Sequence, residues 1–440
     1  MYYFQIIMNT FNLLINFPNL NIHNTQYFHF NQYIFVNFQK ILTFRYKIFL
    51  PCFDNTFENV YNKYKIQILQ VIIMQTMTCS FIGLGLIGGS IARAFREHFP
   101  DMKLKVFDKD IPSLSLALKD RVATNIYTEI TAELCDADYI FLCAPVSVNE
   151  ANLRTLTAYL KPHTIVTDVG SVKSGIHNLA KELMLESRFI GGHPMAGSER
   201  FGYANSKSNL LENAYYILTP SQSVPESKVL QLKDMITAIR AIPLIIDASQ
   251  HDYITAAISH LPHIIASGLV NLVKESDSED GLMKTMAAGG FKDITRIASS
   301  NPTMWQQICL TNTDNIKQLL DRYIDNLKHI RSELENRDSL ALYHFFDNAR
   351  IYRDSFSNAS RGPIKQSFTV SIEIPDKPGS IAEITVLLAK HNLSIKNMNI
   401  VHNREAEFGA LTVEFYSDKD MLKAVELLQK DSFTTYLKRN

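Results

Sequence analysis

Short apolar runs alternate with amphipathic segments between residues 78 and 247. In the amphipathic segments, apolar residues recur at three- and four-residue spacing, which is typical of helices with one buried face. Nearly continuous apolar runs such as Tyr139–Ala144 are typical of strands that are buried on both faces of a parallel sheet. The alternation predicts an α/β domain in which helices cover both faces of a parallel sheet. We place this domain at residues 77–249.

A different pattern follows from about residue 250 to residue 357, where long helical periodicity has few strand signals. This pattern predicts an all-helical second domain. Helices of this kind bury their apolar stripes most easily by packing against another subunit. We therefore expect a homodimer, and we assign substrate binding and dimerisation to residues 250–357.

The last part of the chain has strand and helix signals of its own. Residues 358–366 are predicted to be a linker, because Ser357–Pro363 is rich in residues typical of loops. From residue 367 to residue 440, a strand, a turn at Pro375–Gly379 and a helix are followed by two strands and a closing helix. This order predicts a small ferredoxin-like β-α-β-β-α-β domain.

The first 76 residues differ in composition from the rest of the chain. Residues 1–73 contain no Ala, Gly or Ser and only two acidic residues, Asp54 and Glu58. No basic segment precedes an apolar core as in a signal peptide, and polar residues interrupt each apolar run before it could span a membrane. We expect the folded protein to begin near Met74 or Met77, after a biased extension that resembles translated AT-rich DNA. The alternative is an aromatic extension that binds a partner.

Charge and cysteine usage narrow the class of protein. The 44 basic and 44 acidic side chains cancel, so the net charge indicates neither a nucleic acid nor a membrane surface as partner. The five cysteines show no spacing typical of a metal site, and we expect no metal. A reduced, cytoplasmic compartment is the simplest interpretation.

A glycine-rich segment between the first predicted strand and helix indicates a bound nucleotide. Gly83 permits a tight turn, Gly85 allows the backbone to approach a pyrophosphate, and Gly88 allows close packing of helix on strand. The helix N-terminus then offers unpaired N–H groups to the anion. Asp108 supplies the acidic residue that this fingerprint requires at the end of the second strand. Because a carboxylate accepts hydrogen bonds from both ribose hydroxyls, Asp108 favours NAD over NADP on a Rossmann-type fold.

Residues that follow neighbouring strands complete the predicted cofactor site, because ligands of open parallel sheets bind at the carboxyl ends of the strands. We expect the NAD contacts to be Gly83, Leu84, Gly85, Leu86, Ile87, Gly88, Asp108, Ala144, Pro145 and Ser171. The loops after the next strands bring Lys173, His193 and Glu199 to the same rim. A histidine beside a dinucleotide is a candidate general base, because imidazole titrates near neutral pH.

Several separated motifs together resemble the prephenate dehydrogenase family. They are the glycine turn Gly83–Gly88, the segments Asp168–Lys173, Gly191–Glu199, Ser259–His263 and Gly289–Ala298, and Trp305. The segment from residue 367 onward resembles an ACT domain, a module that commonly binds amino acids to regulate enzymes. The resemblance implies NAD-dependent oxidation of prephenate to 4-hydroxyphenylpyruvate, with loss of carbon dioxide, in tyrosine biosynthesis. It also implies feedback inhibition by tyrosine, whose carboxylate would bind backbone N–H groups near Pro378 and Gly379.

The resemblance also assigns roles to single residues. His193 matches the family's catalytic histidine, which accepts the proton of the ring hydroxyl, and Ser171 orients it. Arg296 binds a substrate carboxylate, for which its planar guanidinium is suited. Trp305 packs beneath the pocket. Further pocket residues are His260, His263 and Glu199.

Four other residues are assigned no chemistry. Lys173 and Asp168 are expected to hold the loop after the strand by hydrogen bonds. His251 and His344 lie outside the motifs and are interpreted as surface or packing residues.

Three alternatives stay open at this point. His260 and His263 are three residues apart on one helix face, which could also indicate a metal site, although no third ligand accompanies them. Arogenate dehydrogenase would use the amino-acid analogue of the same substrate and make tyrosine directly. A non-catalytic regulator that senses NAD and an amino acid would lack a base, whereas His193 and Arg296 are both present.

Overall fold

The computed structural model describes residues 74–197, 200–359, 368–375, 377–401 and 408–437. Residues 1–73 of the expected extension, most of the expected linker and the candidate pocket residue Glu199 lie outside the described residues. Two sheets and a helical region make up the described part of the chain.

The first sheet has eight strands in the order β3-β2-β1-β4-β5-β6-β7-β8. The strands are β1 (Thr78–Ile82), β2 (Lys103–Phe107), β3 (Asn125–Tyr127), β4 (Tyr139–Leu142), β5 (Ile165–Asp168), β6 (Phe189–Pro194), β7 (Tyr215–Pro220) and β8 (Ile242–Ile245). The helices are α1 (Leu86–His98), α2 (Ile111–Lys119), α3 (Ala132–Cys135), α4 (Val146–Thr157), α5 (Ser174–Glu182) and α6 (Glu226–Ala238). The predicted Rossmann-type sheet is confirmed.

The centre of this sheet is held together by aromatic packing across strands and helix. The rings of Phe81 on β1 and Phe141 on β4 stack at a centroid distance of 5.0 Å. Phe95 on α1 meets the Phe141 ring edge-on at 5.5 Å. All three side chains are fully buried, and each contributes on the order of 2–3 kcal/mol of apolar burial. The strand before the glycine turn and the helix after it are therefore fixed to the same core.

One strand pair departs from the expected parallel sheet. Strand β7 runs antiparallel to β6, with His193 opposite Ile217. The described part of the connection between them contains only the 3-10 turn Tyr203–Asn205. A parallel pair needs a crossover connection, usually a helix, whereas this chain returns directly. The pairing also makes His193 and Pro194 part of β6, where the sequence predicted a loop.

The region after the sheet is helical, as expected. Its helices are α7 (Ala248–Thr255), α8 (Leu261–Ser276), α9 (Leu282–Met286), α10 (Gly289–Thr295), α11 (Pro302–Thr311), α12 (Thr313–Asn336) and α13 (Ser339–Ala359). A π-helical turn, Ala256–His260, joins α7 to α8. Pro262 in the first turn of α8 lacks the N–H that would continue an α-helical ladder, which accounts for an irregular junction here.

Residues Ala248–Ser276 form a continuous helical segment that, by length and by a mean hydropathy of 1.4, could cross a membrane. Its buried face contains His251, Asp252 and His260, all about 1% exposed. These side chains hydrogen-bond to the sheet domain and to the neighbouring helical segment. These contacts join the segment to the rest of the fold, and 22% of its most apolar stretch is buried.

The C-terminal unit has the predicted β-α-β-β-α-β order. It consists of β9 (Phe368–Pro375), α14 (Ser380–Lys390), β10 (Ile395–Val401), β11 (Phe408–Phe415), α15 (Asp418–Lys430) and β12 (Thr435–Leu437). The antiparallel sheet has the order β10-β11-β9-β12. Buried side chains of β9 and β11, including Ile372 and Val413, pack with Ile384 of α14 and Leu428 of α15. The unit therefore has a core of its own.

Candidate active site

The glycine turn packs so tightly that side chains are excluded at two positions. Gly83 has φ +100°, and a Cβ there would lie 2.7 Å from the backbone nitrogen of Ala144. A Cβ on Gly88 would lie 2.5 Å from the carbonyl oxygen of Gly83. By contrast, nothing lies within 4 Å of a Cβ placed on Gly85. The turn is thus pressed against the end of β4 but open at Gly85, as a backbone that receives a pyrophosphate must be.

The other predicted cofactor residues lie at the same edge of the sheet as this turn. Leu86 and Ile87 begin α1, whose first N–H groups have no partner within the helix. Ala144 touches the turn, and Pro145 precedes α4. Ser171 is half-buried in the loop that follows β5. The structure therefore places these residues at the carboxyl ends of β1, β4 and β5, as expected.

Asp108 follows β2 and binds the glycine turn directly. Its Oδ2 accepts a hydrogen bond from the backbone N–H of Leu84 at 2.5 Å, and its Oδ1 accepts one from Asp110 at 2.8 Å. Each carboxylate oxygen has a second lone pair, which can accept from a ribose hydroxyl. A negative charge here would repel the extra phosphate of NADP. The geometry fits NAD.

A buried ion pair joins the ends of β5 and β6. The Lys173 ammonium, fully buried, pairs with Asp168 Oδ2 and donates to the carbonyl of Gly192 at 2.7 Å. Asp168 Oδ1 accepts from the N–H of Gly192 at 3.0 Å. Burial lowers the pKa of Lys173, while the neighbouring Asp168 carboxylate raises it, and the net direction is down. The pair fixes the backbone immediately before His193, and this agrees with the loop-holding role expected of Lys173 and Asp168.

His193 lies at the head of a chain of hydrogen-bonded side chains. Its Nδ1 is 2.8 Å from Nε2 of His251, and Nδ1 of His251 is 2.8 Å from Oδ1 of Asp252. Asp252 in turn accepts from the backbone N–H groups of Lys173 and Ser174, both at 2.7 Å. The carboxylate therefore sits at the start of α5, where helix dipoles favour negative charge.

This arrangement corrects one expectation. His251 was interpreted as a surface or packing residue, but it is buried and bonded to His193. The expected role of Ser171 in orienting His193 stays a prediction, and the structure adds His251 as the partner of Nδ1. The sequence gives little sign of this, because His251 and Asp252 are adjacent on a helix and point about 100° apart. Only the strand order brings α7 behind β6.

Electrostatics keep the imidazole of His193 neutral. Its pKa lies well below the ordinary value, first because of burial and then because positive charge on His251, Lys173 and His260 would repel a proton. Burial raises the pKa of Asp252, but hydrogen bonds from His251 and Ser174 lower it more, so the net direction is down. The neutral imidazole of His193 is therefore linked through His251 to the ionised carboxylate of Asp252.

The remaining pocket residues come from the helical region. His260 is buried, and its Nδ1 lies 3.1 Å from Nδ2 of Asn312, which also donates to the backbone carbonyl of Asp252. Burial lowers the pKa of His260 to about 4. His263 stacks on Trp305 with ring centroids 3.5 Å apart. The two histidines thus have different partners, and Trp305 packs as expected.

Arg296 acts electrostatically on His263. The side chain is exposed, in a 3-10 turn that follows α10. Burial lowers the pKa of His263, and the positive charge of Arg296 lowers it further. His260 interacts electrostatically with both His193 and His263. These four pocket residues are therefore linked pairwise by electrostatic interactions.

Comparison with known families identifies the family of this chain. Residues 91–243 match the family model "Prephenate dehydrogenase, nucleotide-binding domain", and residues 247–348 match "Prephenate dehydrogenase, dimerization domain". The chain belongs to the prephenate dehydrogenase family. It is an NAD-dependent oxidoreductase, and the expected fold and cofactor are confirmed.

Similar members of the family come from several bacteria. The prephenate dehydrogenase of Bacillus subtilis is 38% identical over 355 residues, which are 80% of this chain and 95% of the relative. That of Lactococcus lactis is 34% identical over 353 residues, covering 79% and 96%. The prephenate dehydrogenase of Aquifex aeolicus, solved with hydroxyphenyl propionate and NAD+, has a TM-score of 0.60 and 28% identity over 64% of this chain and 98% of that one. Arogenate dehydrogenase from Synechocystis has a TM-score of 0.59 at 28% identity, covering 64% and 100%.

The acid side of the pH profile should report the lowered pKa of His193. An imidazole whose pKa is depressed keeps its neutral form to lower pH, so the proposed base His193 should stay unprotonated through the ordinary histidine range. We expect kcat/KM for prephenate to stay flat through that range and to fall only at lower pH. Steady-state rates across the pH range, with activity recovered after return to pH 7.5, would test this. An acid limb centred within the ordinary histidine range, or above it, would contradict it.

Proposed function

We propose that this enzyme oxidatively decarboxylates prephenate to 4-hydroxyphenylpyruvate with His193 as the general base. The observation that supports it most is the hydrogen-bonded chain of His193, His251 and Asp252. It lies at the carboxyl end of the parallel strands, the edge of the sheet at which the glycine turn also lies. Bound NAD+ would accept the hydride. The cofactor would be held by the open backbone at Gly85, the carboxylate of Asp108 and the N-terminus of α1.

The chemistry needs a base that later returns its proton. His193 takes the proton of the ring hydroxyl as the carbon beneath it loses hydride, and a carbonyl forms. When the ring carboxylate leaves as carbon dioxide, its bonding electrons pass through the ring to that oxygen. The resulting phenolate takes the proton back, so no proton is consumed. Aromatisation makes the sequence irreversible, and Ser171 would contact the same hydroxyl or the cofactor.

Arg296 is proposed to bind the substrate's carboxylates, with His263 and His260 lining the same pocket and Glu199 gating or polarising it. Replacing Arg296 with alanine should raise KM for prephenate roughly 10- to 100-fold and change kcat less, because a charged hydrogen bond to substrate contributes about 1.5–3 kcal/mol. Steady-state kinetics would measure both constants. Arg331→Ala is a matched control, since Arg331 forms an exposed ion pair with Glu335 and should leave KM unchanged. An unaltered KM in Arg296→Ala would show that Arg296 does not bind a substrate carboxylate.

Substrate preference is the part of the proposal that needs direct measurement. We propose prephenate over arogenate, since the curated relatives at 38% and 34% identity are named prephenate dehydrogenases. Steady-state rates with both substrates and both cofactors test this. We expect higher kcat/KM with prephenate and with NAD+. Faster turnover of arogenate would favour the alternative, and turnover of neither would favour a non-catalytic sensor.

We further propose that tyrosine inhibits the enzyme through the C-terminal unit. Gly379 has φ +98° and precedes α14, whose first turn offers backbone N–H groups next to Pro378. The hydroxyl of Ser380 is buried there without a hydrogen-bond partner among the described residues. Tyrosine should inhibit the full chain but not a chain that ends at Ala359. Equal inhibition of both would instead place tyrosine in the active site.

Assembly and location are two further parts of the proposal. We infer a homodimer, because residues 247–348 match a dimerization domain and large apolar side chains of that region, such as Ile258 and Leu310, are exposed in one subunit. Sedimentation of the purified protein would test this. We propose a cytoplasmic enzyme, with domain boundaries at residues 77–249, 250–357 and 367–440.

A further inference from the structure

The hydrogen bonds behind His193 determine which ring nitrogens hold protons. Ionised Asp252 can only accept, so the Nδ1 that faces it on His251 must be protonated. In neutral His251, Nε2 is then an acceptor, and the Nδ1 of His193 must donate to it. The lone pair of neutral His193 is left on Nε2. One carboxylate thus sets the tautomers of two histidines.

Burial isolates this row from water on its inner side. His251 and Asp252 are each about 1% exposed. Both oxygens of Asp252 are engaged, since Oδ1 accepts from Lys173 and His251 and Oδ2 accepts from Ser174. Asn312 donates to the carbonyl of Asp252 and so ties the same turn to the helical region. A proton that enters at His193 has no described route through Asp252 to solvent and must leave the way it came.

We propose that His251 is the positioning and proton-sharing partner of His193, and that the pair stores the substrate's hydroxyl proton between hydride transfer and formation of the phenol. The proton binds Nε2 of His193 as hydride leaves. The Nδ1 proton of His193 then shifts to Nε2 of His251, where the charge is next to the Asp252 carboxylate. After carbon dioxide departs, both shifts reverse and the phenolate oxygen receives the proton. This inference depends on His193 being the base.

Nitrogen-15 NMR of the full chain, labelled in histidine, tests the tautomers without any assay of activity. At neutral pH, His193 and His251 should both show the pattern of the Nδ1-protonated tautomer. His193→Asn and His251→Gln spectra would assign the two signals. A neutral His193 protonated on Nε2 would overturn the proposal, since that tautomer has no lone pair for the substrate.

Two substitutions at His251 separate positioning from proton sharing. His251→Gln keeps an acceptor for Nδ1 of His193 but cannot take a proton, and kcat should fall roughly tenfold. His251→Phe removes the acceptor, and kcat should fall roughly 100-fold or more. KM for prephenate should stay within about threefold in both, because His251 does not reach substrate. Equal kcat in the two variants, or a loss confined to KM, would overturn the proposal.

His177→Gln is the matched control. His177 is a largely buried histidine of the same domain with two hydrogen-bonded partners, Thr219 and Ser221, and no bond to His193. Its substitution should leave kcat within about threefold. If His193→Asn lost turnover while both His251 variants kept it, the relay would be wrong and the base would stand. If His193→Asn kept turnover, the base assignment itself would fail.

Discussion

Replacing His193 with asparagine should lower kcat by about 10²- to 10⁴-fold, the usual contribution of a positioned general base. Asparagine is close in shape to imidazole on the Nδ1 side, so its amide can still donate to Nε2 of His251. It cannot accept a proton from the ring hydroxyl. The loss should therefore fall on the chemical step, while the dissociation constant of prephenate changes little.

Two measurements make this result specific. Prephenate binding to the variant, measured by calorimetry or fluorescence in the presence of NAD+, should stay within a few-fold of the parent. His344→Asn is the control, because His344 is an exposed histidine on α13 and should retain full turnover. Turnover of His193→Asn near that of the parent would show that another group accepts the proton.

The features that could be predicted from sequence are those that local contacts determine. The glycine turn and Asp108 are read from short spacings, and the backbone of Gly83 requires glycine whatever lies around it. Apolar periodicity likewise predicted the strands and helices of the C-terminal unit, because each of them buries one face against the same small core. In these places, sequence neighbours and spatial neighbours are largely the same.

The features that could not be predicted depend on contacts between distant segments. His193 and His251 are 58 positions apart and meet only because α7 packs behind the end of β6. Asp252 similarly reaches Lys173 across 79 positions to cap α5. His193 also lies within the antiparallel β6–β7 pair. The apolar pattern of a strand does not show whether it pairs parallel or antiparallel with its neighbour, so this pairing could not be predicted. Motif spacing thus predicted His193 as the base but not the residues that are hydrogen-bonded behind it.

A methionine in place of Lys173 should destabilise the sheet domain by about 3–5 kcal/mol, the typical effect of removing one partner from a buried ion pair. The ammonium is fully buried and pairs with Asp168, whose carboxylate would lose its compensating charge. The carbonyl of Gly192 would also lose its donor. Methionine has nearly the same length, so the loss would come from charge and hydrogen bonding rather than from a cavity.

Urea unfolding of the parent and the variant would measure this change in the free energy of unfolding. Lys328→Met is the matched control, because Lys328 pairs with Asp325 at the surface and both side chains are 72% exposed. Such a pair contributes about 0–1 kcal/mol, so the control should unfold almost as the parent does. Adding Asp168→Asn to Lys173→Met should recover part of the loss, since it removes the uncompensated charge while keeping an acceptor for Gly170 or Gly192. If the single variant were as stable as the parent, Lys173 would not be what fixes the strand ends.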